Sequence, residues 1–226
     1  MNVIVFASRK GGSGKSTLTA HLAAQASRPS RPVLLVDADP QGSLSLWHEL
    51  RGADDLVLKR TTRGVAETIR AAKGRGFSWG FVDTPPNRSS AVLDAITCAT
   101  LVIIPARASL FDLAAVRDTV AMCREVKKPY AVVLNAAPAR RSDAESAMVT
   151  EARQVLTDLE VPLWSGQITH RADFGLAIGA GQAAKEFDAG SAATAELAGL
   201  WSAVEKSVKA INGASLNARV MHRAAA

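Results

Sequence analysis

Ser8-Arg9-Lys10-Gly11-Gly12-Ser13-Gly14-Lys15-Ser16-Thr17 has the composition of a phosphate cradle. Closely spaced glycines let successive backbone N–H groups turn toward one point, where an anion is held. Lys15 adds a full positive charge for β- and γ-phosphates, and the Ser16 hydroxyl is a suitable Mg²⁺ ligand. The strict pattern G-x-x-x-x-G-K-[ST] is not met, because Arg9 stands where its first glycine belongs. The chain reads K-G-G-x-G-K-[ST]-T, with a second lysine, Lys10, at the start of the turn.

Acidic and amide groups close three other apolar runs. Val33-Leu34-Leu35-Val36 ends in Asp37-Ala38-Asp39-Pro40-Gln41-Gly42. Carboxylates leaving a buried segment need a cation or donors, and Mg²⁺ with ATP supplies the cation. Asp39 also suits the role of a helix cap before Gly42. Phe77–Val82 ends in Asp83-Thr84-Pro85-Pro86. An apolar strand ending in Asp is the second half of a phosphoryl-transfer site, its carboxylate holding Mg²⁺ through water. The paired prolines stiffen the loop that follows. Val132-Val133-Leu134 ends in Asn135, whose amide can address a purine edge or bond its own backbone in a turn.

These groups must be positioned by strands and helices, and the sequence alternates between them. Strands are expected at Val3–Ala7, Val33–Val36, Leu56–Leu58, Trp79–Val82, Leu101–Ile104 and Ala131–Leu134, with a short one near Leu163–Ile168. Helices are expected at Lys15–Ser27, Gln41–Glu49, Gly64–Ala72, Ser90–Ala99, Leu110–Val126, Asp143–Leu159 and Ser191–Ile211. Near-continuous apolar strands separated by helices predict an α/β fold: a doubly wound, mostly parallel sheet with helices on both faces. Ligands bind such sheets at the carboxyl ends of the strands, where all the groups above fall. One domain is expected over residues 1–213, with 214–226 a flexible C-terminal tail.

With 226 residues, 48% of them hydrophobic, the chain can bury a full core. No apolar run approaches the ~18 residues of a membrane span, and the N-terminus reads as a core strand rather than a signal peptide. A cytoplasmic location is therefore expected. Cys98 and Cys123 lie in apolar helical stretches and read as buried free thiols. The net charge of +6 suggests an acidic partner. From Pro138 onward nine Lys/Arg face ten Asp/Glu, so the excess lies earlier, at Arg51, Lys59, Arg60, Arg63, Arg70, Lys73 and Arg75 and again at Arg124, Lys127 and Lys128.

Lys10–Thr17, Val36–Gly42 and Val82–Pro86 together resemble the ParA/MinD family of deviant Walker A P-loop ATPases, over nearly the whole chain. The Asp-Pro-Gln-Gly ending favours the ParA branch, in a short form without an N-terminal helix-turn-helix. The resemblance implies a Mg²⁺-dependent ATPase, slow without an activator, with ATP sandwiched between two copies of the chain. Lys10 would reach the partner's phosphates, Lys15 those of its own subunit, and Asp39 would orient the attacking water. Gly11, Gly12, Ser13, Gly14, Lys15, Ser16 and Thr17 would hold the nucleotide, with Asn135 at the adenine. Ser16 would ligate Mg²⁺, with Asp37 and Asp83 in its outer shell.

The same resemblance implies ATP-dependent, non-specific DNA binding, with Arg171, Lys185, Lys206 and Lys209 at roughly matching positions. Arg60, Arg63, Arg70, Lys73 and Arg75 are the alternative footprint from charge alone. The expected partners are a second copy, nucleoid DNA and a ParB-like or cargo-adaptor activator, and the expected cargo is DNA or a protein assembly. A MinD-like membrane-associated ATPase is the rival reading. It would need an amphipathic C-terminal helix, and Leu216, Val220 and Met221 beside Arg219 and Arg223 make a poor one.

Overall fold

In the computed structural model, residues 1–224 are described except Pro29, Thr62, Arg63, Ser142 and Asp143, with the backbone alone for residues 216–224. The expected contribution of Arg63 and the expected helix start at Asp143 therefore lie outside the described residues. Strands β1 (Asn2–Phe6), β2 (Val33–Asp37), β3 (Leu56–Arg60), β4 (Trp79–Asp83), β5 (Leu101–Ala106) and β6 (Tyr130–Leu134) alternate with α1 (Lys15–Ala26), α2 (Ser43–Arg51), α3 (Val65–Ala72), α4 (Ser90–Cys98) and α5 (Leu110–Glu125). After β6 come α6 (Ala147–Asp158), α7 (Ala172–Gly179), α8 (Ala184–Phe187) and α9 (Ala192–Ala224).

The six strands form one sheet in the order β3-β2-β4-β1-β5-β6, and every pair is parallel. The strands other than the edge strand β3 are largely buried on both faces, which is why their sequences are runs rather than alternations, whereas β3 ends in the exposed Lys59 and Arg60. Val3 and Val5 pack on one side with Val65, Ile69, Val92, Ile96, Val116, Val120, Val149 and Leu156, under α3 to α6. Ile4 and Phe6 pack on the other with Leu18, Leu22, Leu44, Trp47, Phe174, Leu197, Trp201 and Val204, under α1, α2 and α7 to α9. The chain runs from β1 to β2 and β3 on one side, and through β4 to β5 and β6 on the other. The carboxyl end of β1 thus lies at the switch point of the sheet, where a crevice opens.

Two expectations need correction. Leu163–Ile168 is not a sheet strand: it meets β6 at the isolated bridge Val132↔Leu163 and again where the Ile168 N–H donates to the Leu134 carbonyl at 2.9 Å, and the next bridge is Ala137↔Thr169. Trp164-Ser165-Gly166 interrupts the ladder, with Gly166 folded beneath the Trp164 ring so closely that a Cβ would come within 2.4 Å of Trp164 Cζ2. The final helix does not end near Ile211. It continues to Ala224, because Gly213 costs a helix only about 1 kcal/mol relative to Ala and no proline follows. Helices α7 and α8 were not foreseen. Both cysteines are free, Cys123 buried and Cys98 partly so, and burial pushes the Cys123 thiol up to about 12.

Candidate nucleotide site

The turn after β1 is fixed at both limbs. The Arg9 N–H donates to Thr119 Oγ1 at 3.2 Å, and its guanidinium pairs with Asp118 at 2.7 Å, tying the turn to α5. Gly12 and Gly14 take φ of +70° and +95°, a region that side chains avoid. Helix α1 starts from Gly14 with no side-chain cap, so its first N–H groups face the crevice. The unpaired helix start favours an anion there.

Asn135, at the end of β6, reaches across to this turn. Its Nδ2 donates to the Ser13 carbonyl at 2.7 Å. A Cβ on Gly14 would fall 2.0 Å from the same nitrogen, so Asn135 and Gly14 specify each other. Asn135 was expected at the adenine; it also lines the cavity described below, and its amide donor is engaged by the turn.

Lys15 is buried to 6% exposure and its Nζ donates to the Lys10 carbonyl at 3.4 Å. Burial lowers its pKa, against the opposing fields of Asp83 and Asp39. Lys10 behaves differently. It is exposed, does not line the cavity, and its Nζ stands 5.9 Å from the centre of the Phe111 ring. Beside it, Leu110 and Phe111 open α5 at 78% and 73% exposure.

Asp37 and Asp83 are register partners at the ends of β2 and β4. Asp37 is fully engaged: Oδ2 accepts from the Ser45 N–H at 2.8 Å and the Ser45 hydroxyl at 2.6 Å, and Oδ1 from the Asp39 N–H at 3.2 Å. It therefore caps α2, whose N-cap Gly42 has no side chain to do so. The capping role considered for Asp39 thus falls to Asp37, while Asp39 Oδ1 accepts from the Gln41 N–H at 3.0 Å.

Asp83 is 0% exposed, and neither carboxylate oxygen completes a well-formed hydrogen bond among the described residues, although the Ser16 hydroxyl lies close enough to favour its charged form. Burial raises its pKa to about 7, opposed by Ser16 and Lys15 and reinforced by Asp37 and Asp39. A buried carboxylate without a well-formed hydrogen bond, set near Ser16 at a phosphate turn, fits a Mg²⁺ ion that takes its other ligands from water and phosphates.

A cavity of about 1040 Å³ joins these groups. Gly11, Gly12, Gly14, Lys15, Ser16, Thr17 and Asp39 line it together with Thr169, Arg171, Phe174 and Ile178. Arg107 lines it too and was missed by sequence reasoning. It follows the last residue of β5, so the rule that ligand groups follow strand ends could have found it.

Of the four expected DNA contacts, two are engaged within the chain. Arg171 pairs with Glu196 at 2.9 Å, and Lys185 Nζ donates to the Ala24 carbonyl at 2.6 Å near the end of α1. Lys206 and Lys209 are exposed on α9. In the alternative cluster, Arg60, Arg70, Lys73 and Arg75 are exposed.

The family model described as the CobQ/CobB/MinD/ParA nucleotide binding domain matches residues 4–183. The maintenance of carboxysome distribution protein A of Gloeobacter kilaueensis is 40% identical over 122 residues, 52% of this chain and 55% of that protein. The chromosome-partitioning ATPase Soj of Thermus thermophilus is 30% identical over 154 residues, 55% of this chain and 62% of that protein. These matches span little more than half the length of either relative. Among solved structures, the septum site-determining protein MinD of Pyrococcus horikoshii, complexed with Mg-ADP, superposes with a TM-score of 0.75 at 19% identity, covering 91% of this chain and 96% of that one. That likeness establishes the shared fold.

Proposed function

The chain belongs to the CobQ/CobB/MinD/ParA nucleotide-binding family, and from that premise we propose that it is a ParA-type ATPase that positions DNA or protein cargo. ATP would bind in the cavity at the phosphate turn and hold two copies of the chain together. The dimer would bind DNA without sequence preference, and a ParB-like or cargo-adaptor partner would stimulate hydrolysis and release it. Location on the nucleoid follows from that cycle.

The observation that carries this reading is the separation of the two lysines. Lys15 is buried in the cavity wall, whereas Lys10 lies exposed outside it against Phe111. A cation outside its own cradle is available to a neighbouring copy's phosphates. There it would neutralise charge that develops during γ-phosphoryl transfer. Leu110 and Phe111, exposed beside it, give such a contact an apolar border.

The geometry supports the remaining roles that the family implies. The open N-terminus of α1 and Lys15 hold the phosphates. Asp39, half-buried and facing the cavity, orients a water for attack. Ser16 and Asp83 would hold Mg²⁺, with Asp37 steadying the adjacent loop. When bound, the ion would offset the negative charge of the phosphate oxygens. The relatives fit this use: one is named for carboxysome distribution and the other for chromosome partitioning.

Co-sedimentation with DNA in ATP, in ADP and without nucleotide tests the reading. DNA capture is expected with ATP alone. Equal capture in all three conditions would contradict it.

A further inference from the structure

We propose that Arg107 is an additional phosphate-contacting residue, which binds the outermost phosphate of the nucleotide from within the same subunit. The inference rests on the reading of the cavity as an ATP site and deepens it. The Arg107 guanidinium donates to the Gly12 carbonyl, and a Cβ on Gly12 would lie 3.4 Å from Arg107 Nη2. The side chain therefore stands at the rim of the phosphate turn and lines the cavity. A guanidinium has five N–H donors in a planar fork, so one bond to a carbonyl leaves others for phosphate oxygens.

Arg107 is also held in place. Its backbone N–H donates to Asp112 Oδ1 at 3.3 Å, and its carbonyl accepts from the Ser109 N–H at 2.8 Å. Asp112 is buried and accepts from the Ser109 hydroxyl at 2.7 Å, while the Ser109 hydroxyl caps α5. The residue thus projects from a fixed corner between β5 and α5, as a group that must meet a ligand in one geometry requires.

The position of Gly12 selects the phosphate. Lys15, Ser16 and Thr17 belong to the helix limb of the turn, from which Lys15 reaches the β- and γ-phosphates and the Ser16 hydroxyl the metal. Gly12 lies on the opposite limb, two residues from the exposed Lys10. With Lys10 directed away against Phe111 and Arg9 paired with Asp118, Arg107 is the cation that, among the described residues, contacts this limb on the cavity side. It would distinguish a triphosphate from a diphosphate before a second copy arrives.

The test uses the full chain with Mg²⁺, titrated with a non-hydrolysable ATP analogue and with ADP at concentrations where light scattering shows single copies. Arg107→Ala and Arg107→Gln are compared with the parent, and circular dichroism checks folding. The expected result is a loss of at least tenfold in affinity for the ATP analogue and threefold or less for ADP, with Arg107→Lys recovering part of it. Equal losses for both nucleotides would mean that Arg107 only braces the turn and would overturn the proposal, as would no loss. If the parent chain itself binds neither nucleotide, the ATP reading fails together with the proposal. Normal parent binding with unselective variants removes the proposal alone.

Discussion

Asp37 and Asp83 face each other across two adjacent strands in direct register, yet their carboxylates live in opposite conditions. Asp37 accepts three hydrogen bonds and holds the start of α2, while Asp83 accepts none from the described residues and is pushed up to about 7 by burial. One carboxylate organises the chain, and the other is left for something that arrives.

That difference separates their variants. Asp37→Ala strands the Ser45 donors and uncaps α2, so it should lower stability by about 1–3 kcal/mol. Asp83→Ala removes a buried group without a well-formed hydrogen bond and should leave the nucleotide-free chain as stable as the parent or more so, while Mg²⁺-dependent hydrolysis is lost. Urea unfolding and phosphate-release assays measure the two effects. A large loss of stability in Asp83→Ala would show that its carboxylate has an internal partner.

Gly14→Ala should abolish nucleotide binding, since the methyl group collides with Asn135 at 2.0 Å and the backbone sits at φ +95°. Adding Asn135→Ala removes the collision but not the backbone strain of about 1–3 kcal/mol. The double variant is expected to regain folding stability in part and affinity hardly at all. Calorimetric titration of both variants decides this, and parent-like affinity in Gly14→Ala would contradict it.

Acid should weaken the fold through His21. This side chain is 1% exposed, accepts the Ala184 N–H at its Nδ1 and packs edge-on to Phe174, and burial lowers its pKa from 6.5 to about 4. The unfolded chain then takes up a proton that the folded chain refuses, so stability falls as pH drops from 6.5 toward 4 and levels off below. The loss is on the order of 3 kcal/mol. Urea midpoints across that window should fall less steeply in His21→Gln; an unchanged slope would assign the acid sensitivity elsewhere.

Reversing charge at Lys206 and Lys209 together should reduce the salt dependence of DNA binding by about two counterions, without changing ATP affinity. Arg171 is a less clean probe, because its ion pair with Glu196 also supports the Thr169 N–H contact at 2.8 Å. If DNA affinity is unaffected, the footprint lies instead in the exposed cluster of Arg60, Arg70, Lys73 and Arg75.

Much of this site was legible in the sequence because its parts are local. The turn from Lys10 to Thr17 and the Asp37 and Asp83 strand ends are each written in a few consecutive residues. Apolar runs, some of them closed by these groups, gave every strand of the sheet. What escaped depends on chain segments that meet only in the fold. Asn135 reaches Ser13 across 122 positions, and Arg107 reaches Gly12 across 95. Helix α8 escaped because four residues are too few for a helical period to emerge, and α7 because its two glycines and single polar side chain, Asp173, leave no polar face to mark one. The Leu163–Ile168 segment looked like a strand because Leu163, Trp164 and Ile168 are apolar, but Gly166 folds it beneath Trp164.

The mass of the chain in solution, with Mg²⁺ and either a non-cleavable ATP analogue or ADP, tests the shared-nucleotide reading most directly. Twice the chain mass is expected with the analogue and a single chain with ADP, and Lys10→Ala should stay single in both while still binding nucleotide. A parent chain that stays single with the analogue bound, or doubles equally with ADP, would contradict it.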